Sequence, residues 1–323
     1  MSELARKIST KPQKDDGRPL PPLADPVNAE IFRSVESAGL AMHELLNDVL
    51  DHSGDRRISD IMAITPQKHL PSAQSRSYII DVFAKTVDNE VAIYELTLAK
   101  QLIVVDRSFI YAEQALTKDA PTGTTWNDLA KVLPKRVIML NILNFEHRMG
   151  DFDFHQIAEM TYRQPPRELA SDRFITHNIE LPKFRKVEVD FNVPLHCWLY
   201  MLCQAQDNGL TLEGVVAMEP RLTEFAKRPG VRQYMTQYAA ATASPAVRDE
   251  YYTWVKDQML LQEDLKLQKA EARNEGIEIG ELRGLEQAAI NAILEGFDDE
   301  IVARIGKISI DRAKELRQKE AQK

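Results

Sequence analysis

Residues 77–100, SYIIDVFAKTVDNEVAIYELTLAK, decide how the first half of the sequence is organised. Two runs within it, 78–86 and 91–99, are rich in β-branched and aromatic residues, which favour strands. Between them lies the pair Asp88-Asn89, whose side chains are typical of turns. Two strand-like runs joined by a short turn predict a β-hairpin.

Two acidic side chains face each other across this predicted hairpin. A turn centred near Asp88 places Asp81 opposite Glu95, and facing residues of antiparallel strands lie about 5 Å apart at Cα. Carboxylates this close repel each other unless a positive group lies between them, and a divalent cation with oxygen ligands is a common solution. Side chains alternate along a strand, so Thr97 shares the face of Glu95. The alternative is a pair of solvent-facing acids, but the apolar runs around them favour burial.

An acid on one strand followed by Glu-x-polar on the next resembles the active-site signature of the PD-(D/E)XK nucleases. The Arg-x-x-x-Tyr segment at 107–111 narrows the resemblance to the PD-(D/E)XK nuclease family transposases, or Rpn-type recombination-promoting nucleases. Other short segments are similar to this family in the same order: Leu-Leu-Asn at 45–47, Gly-x-x-aromatic-x-x-Leu at 123–129 and Leu-Pro-Lys-Phe at 181–184. Their shared order is more specific than any one of them.

The resemblance implies an α/β fold with a restriction-endonuclease-like mixed sheet core flanked by helices, here with a helical C-terminal extension. It also implies a metal-dependent endonuclease that hydrolyses phosphodiester bonds in DNA and is associated with recombination or mobile elements. Mg²⁺ or Mn²⁺ would be the cofactor, held by Asp81 and Glu95. Three antiparallel strands are expected before the first crossover.

The third catalytic position departs from the family. Thr97 stands where the family has Gln or Lys to orient or activate the attacking water, and a threonine hydroxyl is shorter and cannot carry positive charge. Lys85, on the face of Asp81, is a candidate substitute, although a solvated edge charge is the alternative. Glu30 is the candidate for an acid contributed by the first helix, as in many such folds, with plain surface exposure as the alternative.

Composition sets limits on partners and location. The 323 residues carry a net charge of −8, so a DNA contact needs a local basic patch rather than a general positive field. Cys197 and Cys203 lie in an apolar, helix-like run, with a spacing that predicts buried thiols rather than a disulfide framework or a zinc site. No apolar stretch has the length of a membrane span and the start of the sequence lacks a signal-peptide core, so we expect a cytoplasmic protein.

The sequence predicts a series of elements after its first helices. They are a first strand at 57–64, a polar link at 67–75, the hairpin, a crossover helix at 103–116, a short helix at 126–133, a buried parallel strand at 136–145, a strand and its Leu-Pro-Lys-Phe end at 174–184, and a helix at 195–202. His147 and His155 have a spacing that fits no compact metal site, which predicts a surface loop.

Composition, together with what the family resemblance implies, divides the chain into four segments. They are a disordered arm at 1–22, a nuclease-like domain at 23–208, a helical segment at 209–255, and a charged helix with a terminal helical pair at 256–323. Glycines at every fourth position, 276, 280 and 284, predict either close helix packing or a flexible stretch. The terminal pair is a candidate DNA-contacting or self-associating unit, which would make the protein a homo-oligomer, or an ordinary packed helical hairpin.

Three functions are therefore compared. The first is the metal-dependent endonuclease. The second is a catalytically weakened or inactive nuclease-like protein that acts as a DNA-binding or assembly module, which Thr97 favours. The third is a scaffold unrelated to nucleic acid, which requires the two hairpin acids to be exposed.

Overall fold

The structure is a computed structural model that describes residues 17–70, 78–98, 104–117, 123, 125, 128, 131–150 and 152–321. The chain forms two compact units, divided between Val255 and Lys256. Each unit is described by itself below.

The first unit is built on a six-stranded mixed sheet, with strand order β1-β2-β3-β4-β6-β5. The strands are β1 (Ile61–Leu70), β2 (Tyr78–Thr86), β3 (Val91–Thr97), β4 (Val137–Leu143), β5 (His155–Thr161) and β6 (Leu169–Glu180). β1, β2 and β3 are antiparallel, β4 runs parallel to both β3 and β6, and β5 is antiparallel to β6. Three antiparallel strands before the first crossover, and the mixed α/β class, are confirmed.

Helices of the first unit flank this sheet, and the second unit contains the end of one long helix and two further helices. In chain order they are α1 (Asp25–Ile31), α2 (Val35–Ser53), α3 (Val104–Thr117), α4 (Leu181–Phe184), α5 (Pro194–Asn208), α6 (Leu212–Met218), α7 (Thr223–Ala226), α8 (Pro229–Ala243), α9 (Pro245–Leu294), α10 (Asp299–Gly306) and α11 (Ile310–Glu320). A 3₁₀ turn at Pro220–Leu222 precedes α7. The predicted crossover helix is α3, and the predicted helix at 195–202 is the middle of α5.

The hairpin has the register that the sequence predicts. Val82 pairs with Tyr94 and Lys85 with Val91, and Asn89 in the turn has a left-handed φ of 61°, a conformation that Asn tolerates better than most residues. The backbone pairing of β2 with β3 extends from Lys85 back to Val82, the residue that directly follows Asp81.

The first strand, predicted at 57–64, begins and ends later in the structure. β1 begins at Ile61 rather than at residue 57 and continues to Leu70, because residues 63–70 pair with β2 as far as Tyr78. The link predicted at 67–75 is therefore strand as far as residue 70, and its remainder lies outside the described residues. Half of the helix predicted at 126–133, namely residues 126, 127, 129 and 130, lies outside them as well.

The central strands β3 and β4 are buried along their whole length. On one face, Phe83, Ile93 and Met139 pack with Tyr111 and Ala112 of α3. On the other face, a larger core joins Ala84, Tyr94 and Leu140 to residues of α1, α2, α5 and α8. Burial on both faces explains the continuous apolar runs of these strands, and it places the odd-numbered residues of β3, including Glu95, on the α3 side.

Long-range polar contacts tie the helices of the larger core together. Trp198 of α5 is fully buried, and its indole Nε1 donates to Asp48 Oδ2 of α2 at 2.8 Å. Leu20 and Pro22, at the end of the predicted disordered arm, are buried, and the Tyr238 hydroxyl donates to the Leu20 carbonyl oxygen at 2.8 Å. Residues 1–16 of that arm lie outside the described residues.

The second unit is helical. Ala289 and Ile293 near the end of α9 pack with residues of α10 and α11, among them Val302 and Leu316. A Cβ on Gly306 would lie 2.7 Å from the Ala289 Cβ, so this close contact requires glycine. The three glycines at 276, 280 and 284 lie within continuous helix, and no described atom lies within 4 Å of where their Cβ atoms would be. Close packing therefore has no partner among the described residues, and the flexible stretch stays a prediction.

Two smaller predictions also have an outcome. Cys197 and Cys203 are buried free thiols, as expected. Among the helices that the structure describes, none is both long and apolar enough to span a bilayer.

Candidate active site

The two hairpin acids each bind the backbone of the opposite strand. The Asp81 backbone N–H donates to Glu95 Oε1 at 3.0 Å, and the Leu96 N–H donates to Asp81 Oδ2 at 2.8 Å. Each carboxylate therefore accepts a hydrogen bond from a backbone N–H of the other strand, at the point where the backbone pairing of β2 and β3 ends. The arrangement brings the two carboxylates together on the inside of the protein, with Glu95 only 3% exposed.

Arg107, in the first turns of α3, supplies the positive charge at this site. Its Nη2 donates to Glu95 Oε2 at 3.0 Å and to the Tyr111 hydroxyl at 2.9 Å. Arg107 and Tyr111 are four residues apart, a spacing that places both on one face of a helix. The Arg-x-x-x-Tyr segment thus fixes a guanidinium against one of the two acids.

One guanidinium does not balance the acids at this site. Burial, and then the negative charge of Asp25, raise the pKa of Asp81 to about 7, although the Leu96 N–H and Arg107 lower it in part. Burial and the neighbouring Asp81 likewise raise the pKa of Glu95 well above its ordinary value. A pair of this kind holds a proton near neutral pH, or a cation in its place.

Asp25 is a third acid near this pair, and sequence analysis missed it. It lies in the first turn of α1, accepts a hydrogen bond from Trp254 Nε1 at 3.1 Å, and has a pKa raised by burial. Its negative charge raises the pKa values of both Asp81 and Glu95. The sequence signal for Asp25 was an acid directly before Pro26 at a helix start. The sequence analysis chose Glu30 instead, which lies more than one turn further along α1.

The other two candidate residues lie away from the pair. Glu30, at the opposite end of α1, pairs with Arg33 Nη1 at 3.1 Å on the surface. Lys85 is on the expected face of β2, but four residues of strand separate it from Asp81, about 13 Å at the usual rise per residue.

A small cavity opens beside Glu95, between β3, β4 and α3. Its volume is about 10 Å³, and it is lined by Glu95, Thr97, Val104, Arg107, Ser108, Tyr111 and Asn141. Thr97 is buried, as is Asn141, which lies beside Glu95 in the parallel pairing of β3 with β4. Asn141 also escaped sequence analysis, although a single polar residue inside the apolar run of β4 was the visible signal.

The polar character of this face extends across the sheet. Asn141 Nδ2 donates to Asn178 Oδ1 of β6 at 2.8 Å and to Ser108 Oγ of α3 at 3.1 Å. Asn178 is in turn the register partner of Gln156 in β5. A row of polar side chains therefore runs from the acid pair through the middle of an otherwise apolar sheet.

The histidine prediction was half wrong. His147 lies in a loop, but His155 is buried in β5, where its Nδ1 lies 2.9 Å from His52 Nδ1 and its Nε2 lies 3.1 Å from His177 Nδ1. Strand pairing with Ile179 of β6 draws His155 inward. Its two ring nitrogens face different histidines, so the three rings form a chain rather than a chelate.

The donors at the acid pair suit a hard cation in chemical type. Carboxylate oxygens are the ligands that Mg²⁺ and Mn²⁺ prefer, and the acids at this site outnumber the one arginine that contacts them. Across the part of the chain that the structure describes, however, no three His, Cys, Asp or Glu side chains are arranged to hold a metal ion. The fit is therefore one of donor type and charge.

Comparison with known proteins assigns the family. Searches of curated proteins and of solved structures return no match. The family model of the PD-(D/E)XK nuclease family transposases matches residues 30–264, which include the hairpin, Arg107 and Asn141 but not Asp25. This match covers most of the chain, and the six-stranded mixed sheet flanked by helices agrees with the restriction-endonuclease-like fold of such nucleases. The chain therefore belongs to the PD-(D/E)XK nuclease family transposases.

Proposed function

We propose that this protein is a metal-dependent DNA endonuclease that hydrolyses phosphodiester bonds during recombination or the movement of mobile elements. The observation that carries the proposal is the pair of the half-buried Asp81 and the buried Glu95, which bind each other's strands and have raised pKa values. Buried acids with perturbed pKa values are typical of functional sites. In a family of nucleases, the natural use of this pair is to hold a cation at the scissile phosphate.

Asp81 and Glu95 would hold Mg²⁺ or Mn²⁺ through their carboxylate oxygens, and Asp25 takes the role proposed from sequence for Glu30. When bound, the cation would activate water and neutralise charge at the phosphate. Asp25 supports this role because its charge acts on both hairpin acids. Arg107 holds Glu95 through one oxygen, Oε2, and so fixes the direction of its carboxylate.

Hydrolysis needs a water oxygen to attack phosphorus while the bond to one sugar oxygen breaks and that oxygen gains a proton. Thr97 lines the cavity beside Glu95 and is the residue of the third catalytic position. Its hydroxyl can donate one hydrogen bond and accept up to two, but it carries no positive charge. We therefore expect slow turnover, which a longer side chain at this position would raise.

The test is nicking and linearisation of supercoiled plasmid with Mg²⁺ or Mn²⁺. We expect cleavage by the wild type to disappear in Asp81→Asn and Glu95→Gln, which keep an oxygen to accept the backbone bond of the opposite strand. Cleavage should fall in Asp25→Asn and rise in Thr97→Gln. Glu30→Gln is the matched control, because this surface acid pairs only across one turn with Arg33.

Two results would contradict the proposal. The first is cleavage that survives in both Asp81→Asn and Glu95→Gln, which would indicate another site or a contaminating nuclease. The second is loss of cleavage in Glu30→Gln with no loss of cleavage in Asp25→Asn, which would favour Glu30 as the acid that the first helix contributes. Lys85→Ala should leave cleavage unchanged, because the lysine lies about 13 Å along the strand from Asp81.

The second candidate function is a nuclease-like protein that binds DNA or assembles without cutting. Thr97 in place of Gln or Lys is the observation that favours it. Binding of plasmid without metal, together with no cleavage by either the wild type or Thr97→Gln, would support this function over the first. If the wild type is inert and Thr97→Gln cuts, the protein is a nuclease disarmed at one position.

A further inference from the structure

Asn141 is a polar side chain placed where the sheet is most apolar. β4 reads VIMLNIL and is buried along its whole length, and Asn141 itself is 3% exposed. Burying an amide without partners costs free energy, so such a residue is normally held by a network or used by a site. Its register partner on β3 is Glu95, which places it beside the proposed metal ligand.

The hydrogen bonds of Asn141 determine which way its amide points. Ser108 Oγ donates its only hydrogen to the Val104 carbonyl oxygen at 3.0 Å, so it can only accept from Asn141. Asn141 Nδ2 donates to Ser108 Oγ at 3.1 Å and to Asn178 Oδ1 at 2.8 Å. Both amide hydrogens are therefore used within the protein. Oδ1 accepts no hydrogen bond from the residues that the structure describes, so it can accept one from a further group.

The cavity beside Glu95 is the place for that further group. Asn141, Thr97 and Glu95 all line it, and its volume of about 10 Å³ is close to the room that one water molecule needs. A water is retained in such a space when it has two to four polar partners. The lining supplies the Glu95 carboxylate and Asn141 Oδ1 as acceptors. It also contains the hydroxyls of Thr97, Ser108 and Tyr111 and the guanidinium of Arg107.

We propose that Asn141 is a second water-positioning residue of this site, whose Oδ1 accepts a hydrogen bond from the attacking water held beside Thr97 and Glu95. The inference rests on the proposed nuclease function. Thr97 on β3 and Asn141 on β4 would together orient the attacking water, which one Gln or Lys does in the family. The hydroxyl of Thr97 is short, but neighbouring strands lie only about 4.8 Å apart, so an amide on β4 reaches the space that the threonine leaves.

The first test measures cleavage kinetics and rescue. We expect Asn141→Ala to lower kcat at least tenfold with little change in DNA binding, measured with Ca²⁺ in place of Mg²⁺. Thr97→Gln in the Asn141→Ala background should restore most of that loss, because the longer amide holds the water from β3. Asn141→Ser, which keeps a hydroxyl at the position, serves as the variant less harmful to folding.

The matched control is Asn144→Ala. Asn144 is another buried asparagine near the end of the same strand, and its Oδ1 accepts from Arg185 Nη1 at 3.1 Å outside the cavity. Asn144→Ala should lower the free energy of unfolding, and adding Thr97→Gln should not restore what Asn144→Ala loses. Equal kcat in wild type and Asn141→Ala would overturn the proposal, and so would a loss in Asn141→Ala that Thr97→Gln leaves untouched.

The second test does not need activity, so it separates this proposal from the proposed function. A high-resolution crystal structure of the wild type should contain a water within about 3.2 Å of both Asn141 Oδ1 and Thr97 Oγ1. A dry cavity, or a water bound only to other groups, would overturn the role of Asn141 even if the protein cuts DNA. A water at this position in a wild type that does not cut would overturn the nuclease proposal, and with it the catalytic role of Asn141, and would leave only a water-binding site.

Discussion

Asp81 and Glu95 each lose water on folding and lie beside another negative charge, so their function is expected to cost stability. A carboxyl whose folded pKa is raised contributes stability that is complete below its unfolded pKa and is lost as pH rises through the folded value. For Asp81 this interval runs from about 4 to about 7. The fold should therefore be more stable with the neutral amide at 81, most of all above pH 7.

Asp81→Asn tests this cost directly. We expect its melting temperature to exceed that of the wild type by more at pH 8 than at pH 5, with a gain of roughly 1–3 kcal/mol in free energy of unfolding at pH 8. The amide oxygen still accepts from the Leu96 N–H, so the strand contact is kept. A gain of the same size at both pH values would show that the ionisation of a buried, crowded Asp81 is not its cause.

Arg107 is expected to stabilise the fold chiefly through Glu95. Removing one partner of a largely buried ion pair leaves an uncompensated charge, and Glu95 is the less exposed partner. We expect Arg107→Ala to lower the free energy of unfolding by about 1–3 kcal/mol. The same substitution in a Glu95→Gln background should cost much less, measured by urea unfolding of the four proteins in a double-mutant cycle. Equal costs in both backgrounds would place the contribution of Arg107 elsewhere.

Local periodicity predicted the part of the site that lies within one hairpin. The alternation of side chains and the position of the turn were enough to pair Asp81 with Glu95 and to place Thr97 on the same face. Asp25 and Asn141 join the site from α1 and β4, elements distant in sequence, so no local pattern could connect them with the hairpin.

At the scale of elements, the success of prediction follows burial. β3 and β4 lie in continuous apolar runs, and each was predicted close to its observed bounds. β6, whose buried half FITHNIE is interrupted by polar residues, begins at Leu169 rather than at residue 174, and the Leu-Pro-Lys-Phe segment after it is a helix. β5, HQIAEMT, lies at the edge of the sheet and is exposed beyond its first residues, so it lacks an apolar pattern. Its pairing with β6 is a tertiary effect, and the surface loop proposed for His155 was wrong for that reason.

The chain of histidines that joins α2, β5 and β6 makes these elements sensitive to acid. Burial, and then the neighbouring His177 and His52, lower the pKa of His155 to about 3. Burial and Arg136 lower the pKa of His177 to about 4. Asp153 and Asp55 act in the opposite direction on His155 without offsetting this. A histidine with a lowered folded pKa contributes stability that is present above its unfolded pKa, near 6.5, and is lost as pH falls toward the folded value.

His177→Phe should therefore flatten the pH dependence of stability on the acid side. We expect the wild type to lose up to roughly 3 kcal/mol of unfolding free energy through His177 between pH 7 and pH 4, and the variant to lose less. Urea unfolding at pH 7, 5.5 and 4.5 measures the difference between the two proteins, so the opposite slope contributed by Asp81 cancels. Parallel curves for wild type and variant would show that His177 is not responsible.

At the scale of the whole molecule, every residue assigned to the site belongs to the first unit, which ends at Val255. The last of them in sequence is Trp254, which donates to Asp25 and so connects α9 to the acids. A chain that ends at Lys269 keeps this contact and removes α10, α11 and the end of α9. We expect this shortened protein to nick plasmid at the rate of the full chain when DNA is saturating.

Trp254→Phe in the full chain is the contrasting variant. It keeps an aromatic ring but removes the indole N–H, which now lowers the pKa of Asp25. The pKa of Asp25 should rise further, so cleavage near pH 6 should fall more than cleavage near pH 8. The measurement is the rate of plasmid cleavage by the shortened chain, by Trp254→Phe and by the wild type near pH 6 and near pH 8. If shortening abolishes cleavage while Trp254→Phe leaves it intact, the second unit contributes to the reaction itself, because neither loss of Asp25 nor loss of the sheet could explain that result.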